Sequence, residues 1–364
     1  MRVVVVADFS YPNFLGGSAR YVYDLVKGFE QNNIDYLLIT RKHKGEYSLE
    51  EDDSFYNQVS SQGKVFEIEG VASYIKSFFL LKKSDLILSH HPALGFLFAL
   101  IFSSKRITYF FHGPYHQEFK ARSKSILGFK IRKFLQSFVL KRSKQIFVLS
   151  KFMQNEVLKI FSSANIKIIP AIVDVAKFKV CESKKSLRNK FKIPHDKKVL
   201  FTSRRLTSRT GVLELTDSFI NEFSIADYHL IIVGKGELAD KLKRKVDNVG
   251  NISFYSFVSD DDLRVLMCLS DVYVLPTRKL EGFGLVVLES LCLKLPVVVS
   301  DHSGGAVEFI SKYSRELIFE LDNANSLKKS ISFALSGDDI LVSLFDAVKD
   351  YNLNSVSNCI HESL

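Results

Sequence analysis

Short runs of β-branched and aliphatic residues alternate with longer amphipathic segments along most of this chain. In the first half they predict strands at residues 3–7, 36–40, 86–89, 107–111 and 145–149. In the second half they predict strands at residues 198–203, 228–234, 252–254, 272–275 and 297–300. Helical segments follow the strands, the first over residues 18–31. This alternation predicts an α/β protein with parallel sheets covered by helices.

The periodicity is interrupted once, at residues 169–178, which separate the two series of strands. A length of 364 residues exceeds what one simple core holds and suits two α/β domains. We found no internal repeat and no low-complexity linker. The residues after about 340 are polar and helical in character.

Composition narrows the class of protein. A hydrophobic fraction of 46% and a charged fraction of 25% are typical of a soluble globular protein. The cysteines are far apart and form no CxxC pair: Cys181, Cys268, Cys292 and Cys359. This spacing favours neither a zinc site nor a disulfide framework, and it indicates a reducing cytosol. The amino-terminal run meets Asp8 at once, so we expect a first strand and not a signal peptide. Residues 86–102 contain two histidines and a proline, which favours a strand and a core helix over a membrane span.

The net charge of +10 is concentrated in one window. Residues 120–151 contain ten Lys or Arg and no Asp or Glu. Apolar residues recur there at helical spacing: Ile126, Leu127, Ile131, Phe134, Leu135, Phe138 and Val139. We predict a helix that packs by this stripe and has a solvated basic face. Contact with a membrane surface or another anionic surface stays open as an additional role.

Residues 275–305 place two glutamates around a glycine-containing junction between a strand and a helix. Glu281 precedes Gly282-Phe283-Gly284, and Glu289 lies within the apolar helix that follows. Glycines let the backbone approach a ligand closely, and a helix start directs free N–H groups at negative charge. The carboxylates repel phosphate but can accept hydrogen bonds from hydroxyls. A ligand that has phosphate and several hydroxyls is a nucleotide sugar.

This segment resembles the Glu-x7-Glu motif of the retaining glycosyltransferases of family 4, which have the GT-B fold. Pro296 and the pair Gly304-Gly305 continue the family's order. The resemblance implies two Rossmann-like domains that face each other across a cleft. We expect them at residues 1–172, on the acceptor side, and 173–342, which bind the nucleotide sugar. Residues 343–364 are expected to form a helix that crosses back to the first domain.

The resemblance also assigns roles within this motif. Glu281 and the backbone of Gly282, Phe283 and Gly284, with Leu285 next to them, would hold the donor sugar. Glu289 would bind the ribose hydroxyls. We set aside a glycosidase pair of carboxylates, because the neighbouring motifs handle phosphate.

In the first domain the candidate residues follow predicted strands. By resemblance, Gly16-Gly17 would let the backbone close on the donor, and His112 would contact the donor sugar near the reacting carbon. A lone histidine in a loop often only packs or caps, and that alternative stays open. His116, and the pair His90-His91, are weaker candidates for contact with the acceptor.

The loop after residues 198–203 resembles the family's Arg-Leu-x3-Lys-Gly pattern with one departure. Arg205 matches the arginine, whereas Thr210 stands at the lysine position and Arg209 precedes it. In relatives the two cations stabilise the leaving diphosphate. We expect Arg205 and Arg209 to act here, and Arg204 to be the more solvated arginine.

Two further loops match the family more weakly. Gly234 opens a Gly-x-Gly-x-Leu turn beside the nucleotide, and backbone at Val258 would meet the base. The turn fails as a dinucleotide fingerprint, because the third glycine is absent. Residues 260–262 are aspartates, which we interpret as the start of a helix and not as a metal site.

The sequence therefore predicts a retaining glycosyltransferase with no cofactor and no metal. We expect a nucleotide-sugar donor, with UDP favoured over GDP, and a glycan or lipid-linked acceptor in surface polysaccharide assembly. The protein would be cytoplasmic, with a possible peripheral site on the membrane through residues 120–151, and no nucleic-acid partner. The alternative is a catalytically weak scaffold that binds a nucleotide sugar without turnover, which Thr210 keeps open.

Overall fold

The computed structural model describes residues 2–8, 16–42, 54–82, 86–102, 106–120, 123, 125–178, 183–337 and 339–364. They form two compact units. Unit 1 comprises Met1–Asp174 and Asp350–Leu364, and unit 2 comprises Val175–Lys349. The boundaries that we expected, at residues 172 and 342, lie two and seven residues before these.

Unit 1 is a parallel sheet of seven strands. Its strands are β1 (Val3–Val6), β2 (Tyr36–Arg41), β3 (Val65–Ile68), β4 (Leu86–Ser89), β5 (Ile107–Phe110), β6 (Gln145–Val148) and β7 (Ile166–Ile168). Its helices are α1 (Gly17–Gln31), α2 (Ser54–Ser61), α3 (Val71–Lys82), α4 (Pro92–Ile101), α5 (Tyr115–Lys120), α6 (Ile126–Arg142) and α7 (Lys151–Ile160). The strand order is β3-β2-β1-β4-β5-β6-β7, which is the doubly wound order with one strand added.

The central strands are apolar on both faces. All four residues of β1 are fully buried valines, as expected for a parallel strand with helices on each side. Val4 and Val6 pack in one cluster with Leu94 and Phe98 of α4. The two edge strands, β3 and β7, were not predicted. Both are only partly buried, so they lack the apolar run that marks the central strands.

Unit 2 is a parallel sheet of six strands. Its strands are β8 (Lys198–Ser203), β9 (Tyr228–Val233), β10 (Ile252–Tyr255), β11 (Val272–Leu275), β12 (Val297–Ser300) and β13 (Ile318–Phe319). Its helices are α8 (Lys184–Phe191), α9 (Val212–Glu222), α10 (Ala239–Val246), α11 (Asp260–Leu269), α12 (Leu285–Cys292), α13 (Gly305–Ile310), α14 (Ala324–Leu335) and α15 (Asp339–Ala347). The order β10-β9-β8-β11-β12-β13 repeats the doubly wound topology, with its switch point between β8 and β11.

The last helix, α16 (Leu353–Ser363), belongs to unit 1 and packs against α1. Gly28 of α1 makes this contact close, because a Cβ there would lie 2.7 Å from the Leu353 carbonyl oxygen. Val173 and Asn352 form a parallel bridge next to it. The chain therefore returns to unit 1 at Asp350, later than residue 343.

The basic helix α6 packs differently from our prediction. Its buried side chains are Gln136, Val139 and Leu140. Four residues of the apolar stripe are exposed instead: Ile126, Leu127, Ile131 and Phe134. The expectation that this stripe packs inward is wrong for these four positions, and the lysines share their face.

Across the described ranges, no helix is both long enough and apolar enough to span a membrane.

Candidate functional site

In unit 2, an arginine and a glutamate meet across the switch point of the sheet. Arg204 follows β8, and Glu281 lies in the loop after β11. Their side chains are hydrogen-bonded and only 10% and 14% exposed. Thr277, fully buried, also contacts both: its Oγ1 lies 3.3 Å from Arg204 Nη2 and from Glu281 Oε2. Ligands bind at this edge in doubly wound folds, so the network marks the candidate donor side.

The electrostatics keep Glu281 ionised. Burial alone would raise the pKa of its carboxyl, but the Arg204 guanidinium, Arg209 and the Thr277 hydroxyl together hold that pKa below its usual value. Burial would likewise lower the pKa of Arg204, and Glu281 more than offsets this effect. The carboxylate is therefore charged and already oriented.

The expectation that Arg204 is the more solvated arginine is wrong. Arg204 is buried against Glu281, whereas the side chain of Arg205 is exposed. The role of Arg205 toward a diphosphate stays a prediction. Nothing in the sequence distinguishes the two neighbours, because the strand ends at Ser203 and the alternation of faces ends with it.

Thr210, at the usual lysine position, stabilises the loop itself. It is buried, and its Oγ1 lies 2.7 Å from the Arg205 carbonyl and 2.8 Å from the Thr207 carbonyl. Arg209 donates from Nη1 to the Leu280 carbonyl at 3.1 Å. The Arg209 guanidinium is thus fixed next to the residue that precedes Glu281.

Glycines let three loops of unit 2 pack together without space for side chains. A Cβ on Gly211 would lie 1.6 Å from the Pro276 carbonyl oxygen, and one on Gly234 would lie 1.9 Å from that of Arg204. Gly236 meets the Leu206 carbonyl oxygen at 2.2 Å in the same way. Gly234 therefore holds the Arg204 loop in place, whatever its contact with a nucleotide.

The Gly282-Phe283-Gly284 run forms the start of α12. Gly284 is the residue before the helix and has φ 78°, a left-handed conformation that favours glycine. Phe283 is buried against Phe309, with ring centroids 5.8 Å apart. Leu285 and Glu289 are half-buried. Burial raises the pKa of the Tyr273 hydroxyl, the Arg204 guanidinium opposes this rise, and the charge of Glu289 adds a smaller contribution to it.

The loop after β10 contains Val258, which is half-buried and precedes Ser259. Ser259 Oγ accepts a hydrogen bond from the Asp262 N–H at 3.0 Å and caps α11. The aspartates at 260–262 fill the first turn of that helix. Negative charge is favourable there because of the helix dipole.

In unit 1, two histidines that follow the neighbouring strands β4 and β5 form a pair. His90 Nδ1 lies 2.8 Å from His112 Nε2, and the Phe110 ring stacks on both imidazoles. Burial, together with the neighbouring His91, lowers the pKa of His112 to about 3. Burial and His112 lower the pKa of His90 well below its ordinary value. Both rings are neutral at physiological pH.

A cavity of about 90 Å³ lies at the switch point of this sheet, between the ends of β1 and β4. It is lined by Ala7, Asp8, Ser18, Ala19, Val22, His90 and His91. His91 Nε2 lies 3.5 Å from Asp8 Oδ2. Within the described ranges, His90 Nε2 and His91 Nδ1 are buried and make no hydrogen bond. Buried polar atoms are normally paired, so both can bind a polar ligand.

Gly16 and Gly17 stand at the start of α1, next to this cavity. Gly16 has an extended backbone that any residue could adopt. A Cβ on Gly17 would meet no atom within 4 Å among the described residues. Among the described residues, therefore, none packs so closely as to require glycine at Gly17, and the contact of the pair with a donor stays a prediction.

His116 and Gln136 lie beneath the loop that follows His112. His116 is buried edge-on against Phe129 of α6, and its contact with the acceptor stays a prediction. Gln136 was not predicted. Its side chain is fully buried, donates to the Gly113 carbonyl at 2.8 Å and accepts from the Tyr115 N–H at 3.0 Å. It ties α6 to the His112 loop.

Two doubly wound units are the architecture of the GT-B glycosyltransferases. HepE of Anabaena, solved in complex with UDP and glucose, superimposes with a TM-score of 0.77. It is 16% identical, and the alignment covers 100% of this chain and 99% of that one. This likeness shows the fold.

Two family models place the chain within that class. The glycosyl transferases group 1 model matches residues 183–347, and the Glycosyltransferase Family 4 model matches residues 15–177. The chain therefore belongs to the group 1 glycosyltransferases of family 4, as the Glu-x7-Glu motif predicted.

Curated relatives match over about half their length. An uncharacterised glycosyltransferase of Methanocaldococcus jannaschii is 28% identical over 200 residues, which are 53% of this chain and 51% of the relative. TuaC of Bacillus subtilis, a putative teichuronic acid biosynthesis glycosyltransferase, is 26% identical over 189 residues, which are 51% and 46% of the two chains.

Proposed function

We propose that this protein transfers a hexosyl unit from a nucleoside diphosphate sugar to a hydroxyl of a glycan or lipid-linked glycan, with retention of configuration. The observation that carries the proposal is the buried network of Arg204, Thr277 and Glu281 at the switch point of unit 2. It places a charged, oriented carboxylate between two loops that both follow strands. Such a carboxylate binds sugar hydroxyls.

On the donor side, Glu281 and the backbone of Gly282-Phe283-Gly284 hold the sugar, and Glu289 binds the ribose. Gly234 and Val258 lie on the nucleotide side. Positive charge comes from Arg205 and Arg209 and from the starts of α9 and α12, which the two loops lead into. With these groups the reaction needs neither a metal nor a cofactor.

The chemical step breaks the bond between the anomeric carbon and the diphosphate oxygen. The acceptor hydroxyl attacks from the same face, and its proton passes to the departing phosphate. The new glycosidic bond therefore has the original configuration. Fixed cations near the diphosphate stabilise the negative charge that develops there.

On the acceptor side, unit 1 offers the cavity with Asp8 and His91, and the neutral His112 would contact the donor sugar near the reacting carbon. A neutral imidazole can donate or accept a hydrogen bond without adding charge. His112 would therefore bind a sugar hydroxyl and would not serve as a cation.

The names and ligands of similar proteins bear on the choice of donor and acceptor. HepE was solved with UDP and glucose, which agrees with a UDP-sugar donor, whereas a Mycobacterium tuberculosis relative is named as GDP-mannose-dependent, which keeps a GDP-sugar as the competitor. TuaC is named for teichuronic acid biosynthesis, which agrees with surface polysaccharide assembly. Contact of the basic window at residues 120–151 with an anionic membrane surface would bring a cytoplasmic enzyme to a lipid-linked acceptor.

The second candidate is a scaffold that binds a nucleotide sugar without turnover. Thr210 favours it, because the position where relatives supply a cation is buried and stabilises the loop. If the protein is instead a transferase, Arg209 must supply the positive charge that stabilises the leaving diphosphate.

The test measures binding and slow hydrolysis of UDP, GDP, ADP and dTDP sugars, with chelator present. The variants are Glu281→Ala and, as a control for the same change at an exposed site, Glu316→Ala. Release of one nucleoside diphosphate that only Glu281→Ala abolishes supports the transferase. Binding without release supports the scaffold. Binding of none of these sugars refutes both.

A further inference from the structure

Three helices of unit 1 form one layer on the sheet. Phe78 of α3 packs on Phe98 of α4, with ring centroids 5.3 Å apart. Phe96 of α4 packs on Phe138 of α6, with centroids 4.9 Å apart. The outer faces of α3, α4 and α6 are therefore neighbouring parts of one surface.

The outer face of α3 is apolar. Val71, Ile75 and Phe79, spaced by four residues, are 79%, 53% and 65% exposed. Residues at this spacing lie in one row along a helix. The row is separate in sequence from the basic window and was not predicted.

The same surface continues over the other two helices. Leu100 and Ile101 are exposed at the end of α4. On α6, Leu127, Ile131 and Phe134 are exposed. Exposed apolar side chains on three neighbouring helices of one layer point to an interaction site.

The charges of the layer have a single sign. The sequences of α3, α4 and α6 contain no aspartate and no glutamate. Exposed lysines stand among the apolar residues, at Lys76 and Lys82 on α3 and at Lys130, Lys133 and Lys141 on α6. The partner must therefore supply both negative charge and apolar volume.

We propose that the outer face of α3, α4 and α6 is a docking surface for an anionic lipid bilayer, with α3 as a second lipid-contacting helix. An interfacial layer of phosphates over acyl chains pairs with lysines that surround apolar side chains. A second copy of this face would bring lysines against lysines. A nucleic acid offers phosphates but no comparable apolar volume.

This inference deepens the proposed function and rests on it for the acceptor, which would be lipid-linked. α3 begins at Val71, three residues after β3 ends. The first residue of the α3 row and the candidate acceptor cavity therefore both lie at the edge of the sheet where the strands end.

The test is flotation of the full chain with vesicles of phosphatidylcholine alone or with phosphatidylglycerol added. The α3 variant is Ile75→Ser/Phe79→Ser, and the α6 variant is Leu127→Ser/Phe134→Ser. The matched control is Ile225→Ser/Val342→Ser in unit 2, where the side chains are 63% and 58% exposed.

We expect binding to the anionic vesicles, at least tenfold weaker in both the α3 and the α6 variants and unchanged in the control. Each lysine changed to glutamine should weaken binding about fivefold. Unchanged binding of the α3 variant overturns the role of α3. Equal binding to neutral vesicles overturns the anionic partner, and loss of a dimer in light scattering would assign the face to a second copy.

Hydrolysis of the nucleotide sugar without lipid separates the two proposals. It should stay at the wild-type rate in the α3 variant. If the wild type binds vesicles but neither binds nor cleaves any nucleotide sugar, the docking surface stands and the proposed function fails.

Discussion

His90 Nδ1 and His112 Nε2 lie 2.8 Å apart at the ends of the adjacent strands β4 and β5. The pair is stacked on Phe110, and Tyr21 meets the His112 ring edge-on at 5.7 Å. Desolvation by these rings disfavours an imidazolium, so the pair is held neutral. The neutral state of these two buried histidines makes the stability of the folded protein depend on pH.

Stability should fall as the pH drops from about 6.5 toward 3. The unfolded chain binds a proton on each histidine near its ordinary pKa of about 6.5, whereas the folded pKa of His112 is about 3. Between these values the unfolded state holds more protons, so acid favours unfolding by about 1.4 kcal/mol per pH unit for each histidine. Urea unfolding at pH 7.5, 6 and 5 measures the slope.

His112→Gln should remove one histidine's share of that slope. His195→Gln is the control, because His195 is exposed in unit 2. Its imidazole Nε2 lies next to Asn189 Oδ1 at the protein surface. Equal slopes for the wild type and the His112 variant would show that the imidazole is not shielded.

Arg204→Met should destabilise the protein far more than Arg205→Met. Without Arg204 the Glu281 carboxylate is buried with its main partner gone, a change that costs about 3–5 kcal/mol. Arg205 is exposed, so the loss of its interactions should cost only about 0–1 kcal/mol. Denaturant unfolding of both variants at neutral pH gives the difference.

The two arginine variants also separate a residue that stabilises the fold from one that binds the nucleotide. If Arg205 binds the diphosphate as the family resemblance implies, Arg205→Met weakens nucleotide binding at normal stability. A larger loss of stability in Arg205→Met than in Arg204→Met would contradict the observed pairing with Glu281.

Gly234→Ala should disturb the Arg204 loop. The added Cβ would lie 1.9 Å from the Arg204 carbonyl oxygen, which is backbone and cannot rotate away. We expect a loss of about 1–3 kcal/mol, typical of overpacking, and weaker nucleotide binding. Gly250→Ala is the control, since its Cβ would meet no described atom within 4 Å. Equal effects of the two substitutions on the urea midpoint would show that the Arg204 loop moves to accommodate the added methyl group.

The central strands and the motif around Glu281 were predictable because their signals are local. Valine runs such as β1 and β12 are buried on both faces, and the Glu281 loop has its glycines at a strand-to-helix junction. The family models and the doubly wound sheets confirm the family and the fold. The residue roles at the site stay predictions.

Side-chain direction was less predictable. Arg204 and Arg205 are identical in type, and only the turn after β8 decides which one is buried. On α6, apolar residues occur around most of the helix, so their spacing does not distinguish the buried face from the exposed one. The stripe that we predicted to be buried includes Phe134, which is exposed. The buried Gln136 gives no signal in sequence, because a glutamine in a basic helix is ordinary.

Gln136→Met should impair transfer far more than donor binding. Gln136 pairs with the Gly113 carbonyl and the Tyr115 N–H, and methionine fills the volume but leaves both without this partner. Each buried group that loses its hydrogen bond costs about 1–3 kcal/mol. The His112 loop should then shift, because α6 no longer fixes it.

The distinguishing measurement is a split between kinetic constants. We expect kcat to fall about tenfold or more, with a much smaller change in the dissociation constant of the nucleotide sugar, because Gln136 lies in unit 1 and the Glu281 network that would hold the donor lies in unit 2. Ser137→Ala, the neighbouring position on α6, should change neither. If Gln136→Met lowers the urea midpoint but leaves kcat intact, Gln136 supports the fold of unit 1 and does not position His112.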